Sequence, residues 1–261
     1  MFSMASYFHG LLVAAAAAAL LWPFSVYLRN VSIVDSLWSL LFLFQGLVYV
    51  YDATNHGELP LTSRQIALLV MLGVWALRLS IYITWRNKGH GEDRRYQAIR
   101  SRNEPNFALK SLYRVFLVQA VIAWVISLPL LSAVLTAAPF GLLDAVGTLL
   151  WLVGFVFEAG GDWQLARFQA NSANAGKVMD RGLWRYTRHP NYFGDCCIWW
   201  GFFAFALSAG AWWSVLSPIL MSLLLLRVSG VALLEKDIGE RRPQYADYIR
   251  RTPAFFPWRP K

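Results

Sequence analysis

Residues 141–162 read Gly141-Leu-Leu-Asp-Ala-Val-Gly-Thr-Leu-Leu-Trp-Leu-Val-Gly-Phe-Val-Phe-Glu-Ala-Gly-Gly-Asp162, an apolar run with acids only near its two ends. An α-helix needs about 20 such residues to cross the hydrocarbon core of a bilayer. Working outward on that scale gives spans near 8–28, 32–51, 64–85, 112–135, 141–162, 193–209 and 212–234. The expected fold is therefore all-α: a polytopic membrane bundle of seven transmembrane helices, forming a single integral membrane domain over 1–261.

Composition points the same way. Of 261 residues, 57% are apolar and 15% charged, with 13 Trp and 17 Phe, whereas soluble domains run at about 45–50% apolar and about 25% charged. Disordered and collagen-like classes are excluded, and two Cys exclude a disulfide scaffold. Cys196 and Cys197 are adjacent, so on a helix they diverge and read as small core residues.

A net charge of +9 would suit nucleic acid, but the basic residues gather in three segments. Arg86, Lys88, Arg94, Arg95, Arg100, Arg102 and Lys110 fall in 86–111, and Arg167, Lys177, Arg181, Arg185 and Arg188 in 163–193. The tail from Lys236 adds seven, while 136–140 and 208–211 have none. Basic and neutral loops thus alternate, which places the amino terminus outside and the carboxyl terminus in the cytoplasm. Membrane lipid is expected as a partner, and nucleic acid is not.

Ionisable residues inside spans are costly and mark functional sites. Asp35, Arg78, Glu158 and Arg227 each lie a turn or two from a cytoplasmic end, roughly 6–12 Å deep at the helical rise. Asp162 and Asp195 lie just above them, at i, i+4 from Glu158 and Asn191 respectively. A set of interhelical salt bridges accounts for any one of these. Six together favour a cavity open to the cytoplasm, where an anionic soluble ligand meets a lipophilic one.

The segment Lys177 to Gly201 packs Arg181, Arg185, Arg188, His189 and Asn191 before the sixth span. Pro190 can start a helix whose exposed N–H groups, beside Arg188 and His189, suit a phosphate or carboxylate. Trp184, Tyr186 and Tyr192 are placed to stack on a planar ring. The plainer reading is a basic, aromatic interfacial segment. The tail from Leu233 to Trp258 reads as a cytoplasmic helix, begun by Pro243, that folds back over the cavity; a solvated charged tail is its plainer reading. His90-Gly-Glu-Asp93 holds metal-capable types in a row on a loop, too weak a pattern for a metal site.

Three motifs carry a resemblance: Gly182-Leu-Trp-Arg-Tyr-Thr-Arg-His-Pro-Asn-Tyr-Phe-Gly-Asp195 followed by Trp199-Trp-Gly201, Asp162-Trp-Gln-Leu-Ala-Arg-Phe168, and the tail Arg241-Arg-Pro-Gln-Tyr-Ala-Asp-Tyr248. They resemble the carboxyl-terminal domain of the membrane steroid 5-alpha reductases and sterol reductases, and more narrowly its compact bacterial members, which implies a bacterial inner membrane. The likeness covers 150–261 well and the first three spans loosely. It implies that 150–261 is the cofactor-binding half. The reaction implied takes NADPH from the cytoplasm and reduces a carbon–carbon double bond conjugated to a carbonyl, in a steroid-like or isoprenoid molecule from the bilayer.

By the same resemblance, Asp162, Asn191, Asp195 and Arg227 contact the nicotinamide nucleotide, and Arg167, Lys177 and Arg188 neutralise its phosphates. Glu158, Tyr186, His189 and Tyr192 complete the expected cofactor set. Steroid-reducing members carry a Glu on the second span and a Tyr on the third; here stand Asp35 and Trp75, with Tyr82 further towards the cytoplasm. Asp35 and Tyr82 are the expected proton donors. S-adenosylmethionine-dependent isoprenylcysteine and phospholipid methyltransferases share a related Arg-His-Pro-x-Tyr element and tail and form the alternative reading. A non-catalytic lipid-binding membrane protein is the third. A one-sided polar layer argues against a transporter.

Overall fold

The computed structural model describes residues 2–55, 61–228, 230, 231, 235 and 244–260. Among them every regular element is helical. In chain order these are α1 (Met4–Tyr27), α2 (Val34–Asn55), α3 (Ser63–Asn87), α4 (Arg94–Ser101), α5 (Phe107–Ile126), α6 (Leu128–Val134), α7 (Leu142–Ala170), α8 (Pro190–Ser208), α9 (Trp212–Arg227) and α10 (Tyr245–Arg251). Helices α1, α2, α3, α5 and α7 are long and apolar enough to cross a membrane, which marks a multi-pass membrane protein.

Elsewhere the chain departs from the expected spans for local reasons. The fourth span, expected over 112–135, is two helices: Pro129 has no N–H to give, and α5 closes at Ser127, whose N–H turns back to Ala123 and Trp124. Over the sixth, α8 forms, but Asn191, Tyr192 and Asp195 load its first turns with polarity. Over the seventh, the described helix α9 tightens and loosens along its length: a 3₁₀ turn at Trp212–Val215, then α-helix, then a π-helical turn at Leu224–Val228. The residues closing the expected span, 232–234, lie outside the described ones, as does Pro243.

Two compact units make up the chain, one of residues 1–141 with 206–214, the other of 142–205 with 215–261. In the first unit, helix ends are tied by side chains. Thr62 and Gln65 form a reciprocal capping box at the start of α3. Arg64, with no exposed surface, donates to the carbonyls of Ala133 and Thr136, and Gln65 donates to that of Val134 at 2.6 Å. The start of α3 thereby satisfies the last carbonyls of α6, which have no partner within their own helix. The Tyr49 and Ser127 hydroxyls bond at 2.8 Å, and Trp124 donates to the Tyr7 carbonyl while stacking on its ring.

In the second unit, α7 and α8 run antiparallel with their backbones in contact. Gly147, Gly154 and Gly161 recur every seven residues, close to two helical turns, so they share one face. A Cβ on Gly154 would lie 2.5 Å from the Gly194 carbonyl, and one on Gly147 would lie 2.7 Å from the Gly201 carbonyl. At the far end a Cβ on Gly161 would meet the Pro190 ring at 3.0 Å. Small residues permit this approach in a membrane, where helix association depends on close packing rather than on expelled water.

A side chain at that seam must push two backbones apart. Gly154→Val should lower the melting temperature of detergent-purified protein, by overpacking of at least ~1–3 kcal/mol. Gly73→Ala, with nothing within 4 Å of a new Cβ, should leave it unchanged or slightly raised. A wild-type melt for Gly154→Val would contradict the backbone contact.

Candidate functional site

The glycine seam gathers a buried acidic patch. Glu158 and Asp162 stand one turn apart on α7 and are 3% and 4% exposed; Asp195, on α8, is 8% exposed. Asn191 donates to Asp162 across the pair at 3.3 Å. Gly194, between Asn191 and Asp195, lies against Glu158: a Cβ there would come 2.8 Å from the Glu158 Cβ. The structure thus brings together four of the residues singled out in the sequence. Their oxygens are acceptors that fit amide N–H and sugar hydroxyl donors.

Arg188 and His189 do other work. Arg188 grips Glu235 with two bonds, of 2.7 and 2.8 Å, and donates to the carbonyls of Thr252 at 2.5 Å and Ile249 at 3.2 Å. His189 meets the same Glu235 at 2.9 Å and lies parallel to the Tyr192 ring. Around this clamp the tail is strapped down. The Arg188 N–H donates to the Pro253 carbonyl, Thr187 to that of Phe255, Trp258 N–H to that of Tyr186, and the Tyr248 hydroxyl to that of Trp184. The Trp184 indole in turn donates to the Gly161 carbonyl on α7.

Arg188 is therefore buried and largely occupied by protein acceptors. Arg167, Lys177 and Tyr186 are exposed, Arg167 lying over the Trp163 ring. Arg227, expected in the buried layer, is exposed in the π-helical turn of α9. Phe157, Leu183, Tyr186, Pro257, Trp258 and Arg259 line a groove of about 600 Å³.

Asp35 belongs to the first unit, at the start of α2. Its two oxygens are held separately: Arg95 donates to one at 2.8 Å, and the Tyr96 hydroxyl to the other at 2.5 Å. Gln119 donates to the Tyr96 oxygen at 3.0 Å. Burial first, and then the Asp35 charge, push the Tyr96 hydroxyl well above the ordinary phenol range. The phenol at Asp35 is thus Tyr96. Tyr82, the other expected proton donor, has its ring against Trp85 and beneath Arg86. The sequence offered one signal for Tyr96, an aromatic on a strongly basic loop, which reads most simply as an interfacial anchor.

The neighbouring loop is braced by ion pairs. Glu92 accepts from the Val31 N–H and from both ends of the Arg100 guanidinium, and Asp93 caps α4. Against the cost of their burial, these bonds hold both carboxyls below the ordinary carboxylate range.

Comparison with known proteins gives two matches. A family described as Protein of unknown function (DUF1295) matches residues 21–252. A protein of Schizosaccharomyces pombe (strain 972), described as uncharacterized, is 26% identical over 283 residues, covering 95% of this chain and 78% of that protein. No solved structure matches.

The clamp carries a pH signature. Burial would lift the Glu235 carboxyl, but hydrogen bonds from His189 and Arg188, with the Arg188 charge, outweigh it and hold its pKa at about 2, below the ordinary 4.5. A lowered carboxyl pKa stabilises fully above the ordinary value, and the contribution is lost as pH falls through the folded one. The gap in melting temperature between wild type and Glu235→Gln should therefore be widest above pH 5 and close as pH falls towards 2. A constant gap would mean that the carboxylate does not hold the tail.

Proposed function

The chain belongs to the DUF1295 family, which is related to steroid 5-alpha reductase-like proteins, and from that footing we propose that it is a membrane reductase. It uses NADPH to reduce a carbon–carbon double bond conjugated to a carbonyl in a lipophilic, steroid-like or isoprenoid molecule drawn from the bilayer. The observation that carries this reading is the pairing of Asp162 with Asn191 across the glycine seam, with Glu158 and Asp195 beside them. Of these, the family resemblance assigns Asp162, Asn191 and Asp195 to the nicotinamide nucleotide.

The donor set fits that ligand. Buried carboxylates accept from the carboxamide and ribose hydroxyls, Asn191 fixes the orientation of Asp162, and the exposed Arg167, Lys177 and Arg227 serve the phosphates. Bound NADPH supplies a hydride to the β-carbon of the substrate. The proton for the carbonyl oxygen comes from the Tyr96 hydroxyl, which turns from Asp35 to the substrate, and the Arg95 guanidinium over its ring and the Gln119 amide stabilise the phenolate that this leaves. Asp35, fixed by Arg95, orients the phenol and passes a proton from water to restore it. In this reading α8 and α9 complete a seven-helix bundle with its cofactor face and carboxyl terminus in the cytoplasm.

One observation favours the second reading, methyl transfer. Glu235 joins the Arg-His-Pro-x-Tyr element to the tail, and both parts occur in the S-adenosylmethionine-dependent membrane methyltransferases.

Equilibrium binding of NADPH and of S-adenosylmethionine to the purified protein separates the two. Binding of NADPH alone is expected, weakened at least about tenfold in Asp162→Ala. Tyr96→Phe and Asp35→Asn should bind NADPH as wild type does and lose about 10²–10⁴-fold in turnover of an enone. Binding of S-adenosylmethionine alone would replace the reductase with a methyltransferase. Full turnover in Tyr96→Phe would remove that residue from the chemistry.

A further inference from the structure

The groove beside the acidic patch has the opposite chemistry to it. Trp258 and Tyr186 line it with rings that are 75% and 43% exposed. Their backbones are joined, Trp258 N–H donating to the Tyr186 carbonyl at 2.9 Å, so the strap that closes the tail also fixes the spacing of these two residues. Leu183, Pro257 and Phe157 supply apolar surface, and Arg259 a solvent-facing cation. Phe157 is the residue before Glu158 on α7, so one helix contributes to both the groove and the acidic patch.

We propose that this groove receives the adenosine 2′-phosphate end of NADPH, with the base against Trp258 and Tyr186 and the 2′-phosphate on Arg259. The assignment rests on the reductase reading above. A dinucleotide has one end rich in hydrogen-bond donors and one end carrying an extra dianion. The buried acceptors of the patch suit the first, and Arg188 is engaged by Glu235. An exposed cation suits the second, and Arg259 stands in the groove with two aromatic faces. A guanidinium pairs well with a phosphate, stacking on aromatic side chains accepts any base, and about 600 Å³ is ample for half a dinucleotide.

Calorimetric titration of the full-length protein in detergent with NADPH, NADH and adenosine 2′,5′-bisphosphate tests this. Wild type should prefer NADPH to NADH and bind the bisphosphate. Arg259→Ala should weaken NADPH and bisphosphate by about tenfold and leave NADH unchanged, while Arg259→Lys keeps most of the preference. Trp258→Leu should weaken all three. If wild type binds NADPH and Arg259→Ala keeps the full preference over NADH, the groove assignment is overturned and the reductase reading stands. If wild type binds neither nucleotide but its groove variants lose affinity for phosphatidylglycerol in nanodiscs, both readings fall and the groove is a lipid headgroup site.

Discussion

Two helices with backbones in contact leave no room for side chains between them, and whatever those helices carry at the rims of the contact is forced together. That constraint governs the second unit. Gly147, Gly154 and Gly161 meet Gly201, Gly194 and Pro190 along α7 and α8, and the last of these contacts sets Asp162 beside Asn191. The same end of α7 accepts the Trp184 indole at the Gly161 carbonyl, so the turn leading into α8 is registered on the seam as well. The acidic patch is thus a by-product of steric closeness. Its residues are brought to one place by the main chain that carries them.

The tail depends on a different kind of force. Arg188 is buried and bound on several sides, an arrangement that costs desolvation on both partners and is recovered only when the geometry and the accessory hydrogen bonds are good. Glu235 and the Thr252 and Ile249 carbonyls meet that condition. The bonds are directional, so they specify one docking of the tail where apolar contact alone would allow many. Phe255, buried against Phe193, adds the non-specific part.

Much of this was legible in the chain. Runs of about 20 apolar residues announce membrane helices because the bilayer leaves few other solutions for a polar backbone; α1, α2 and α3 fall within a few residues of their expected limits, and α7 starts where expected but runs on to Ala170. The grouping of Glu158, Asp162, Asn191 and Asp195 was visible from spacing and motif. The partners of Arg188 and Asp35 were not, because Glu235 and Tyr96 are 47 and 61 positions away and nothing local specifies such pairings. Pro129 was visible and under-read: in an otherwise apolar run its missing donor fixes where α5 stops.

Arg64 bears on how orientation is reckoned from sequence. It sits at the edge of a connection otherwise without Lys or Arg, where a tally of loop cations would count it. Its guanidinium is wholly enclosed and spends its charge on the carbonyl end of α6, where the helix dipole is negative. Such an arginine is a counterion to a peptide dipole, shielded from lipid headgroups and from the electric potential that biases insertion. A topology ballot for this chain should leave it uncounted, which makes the contrast between basic and neutral connections sharper than the raw residue count.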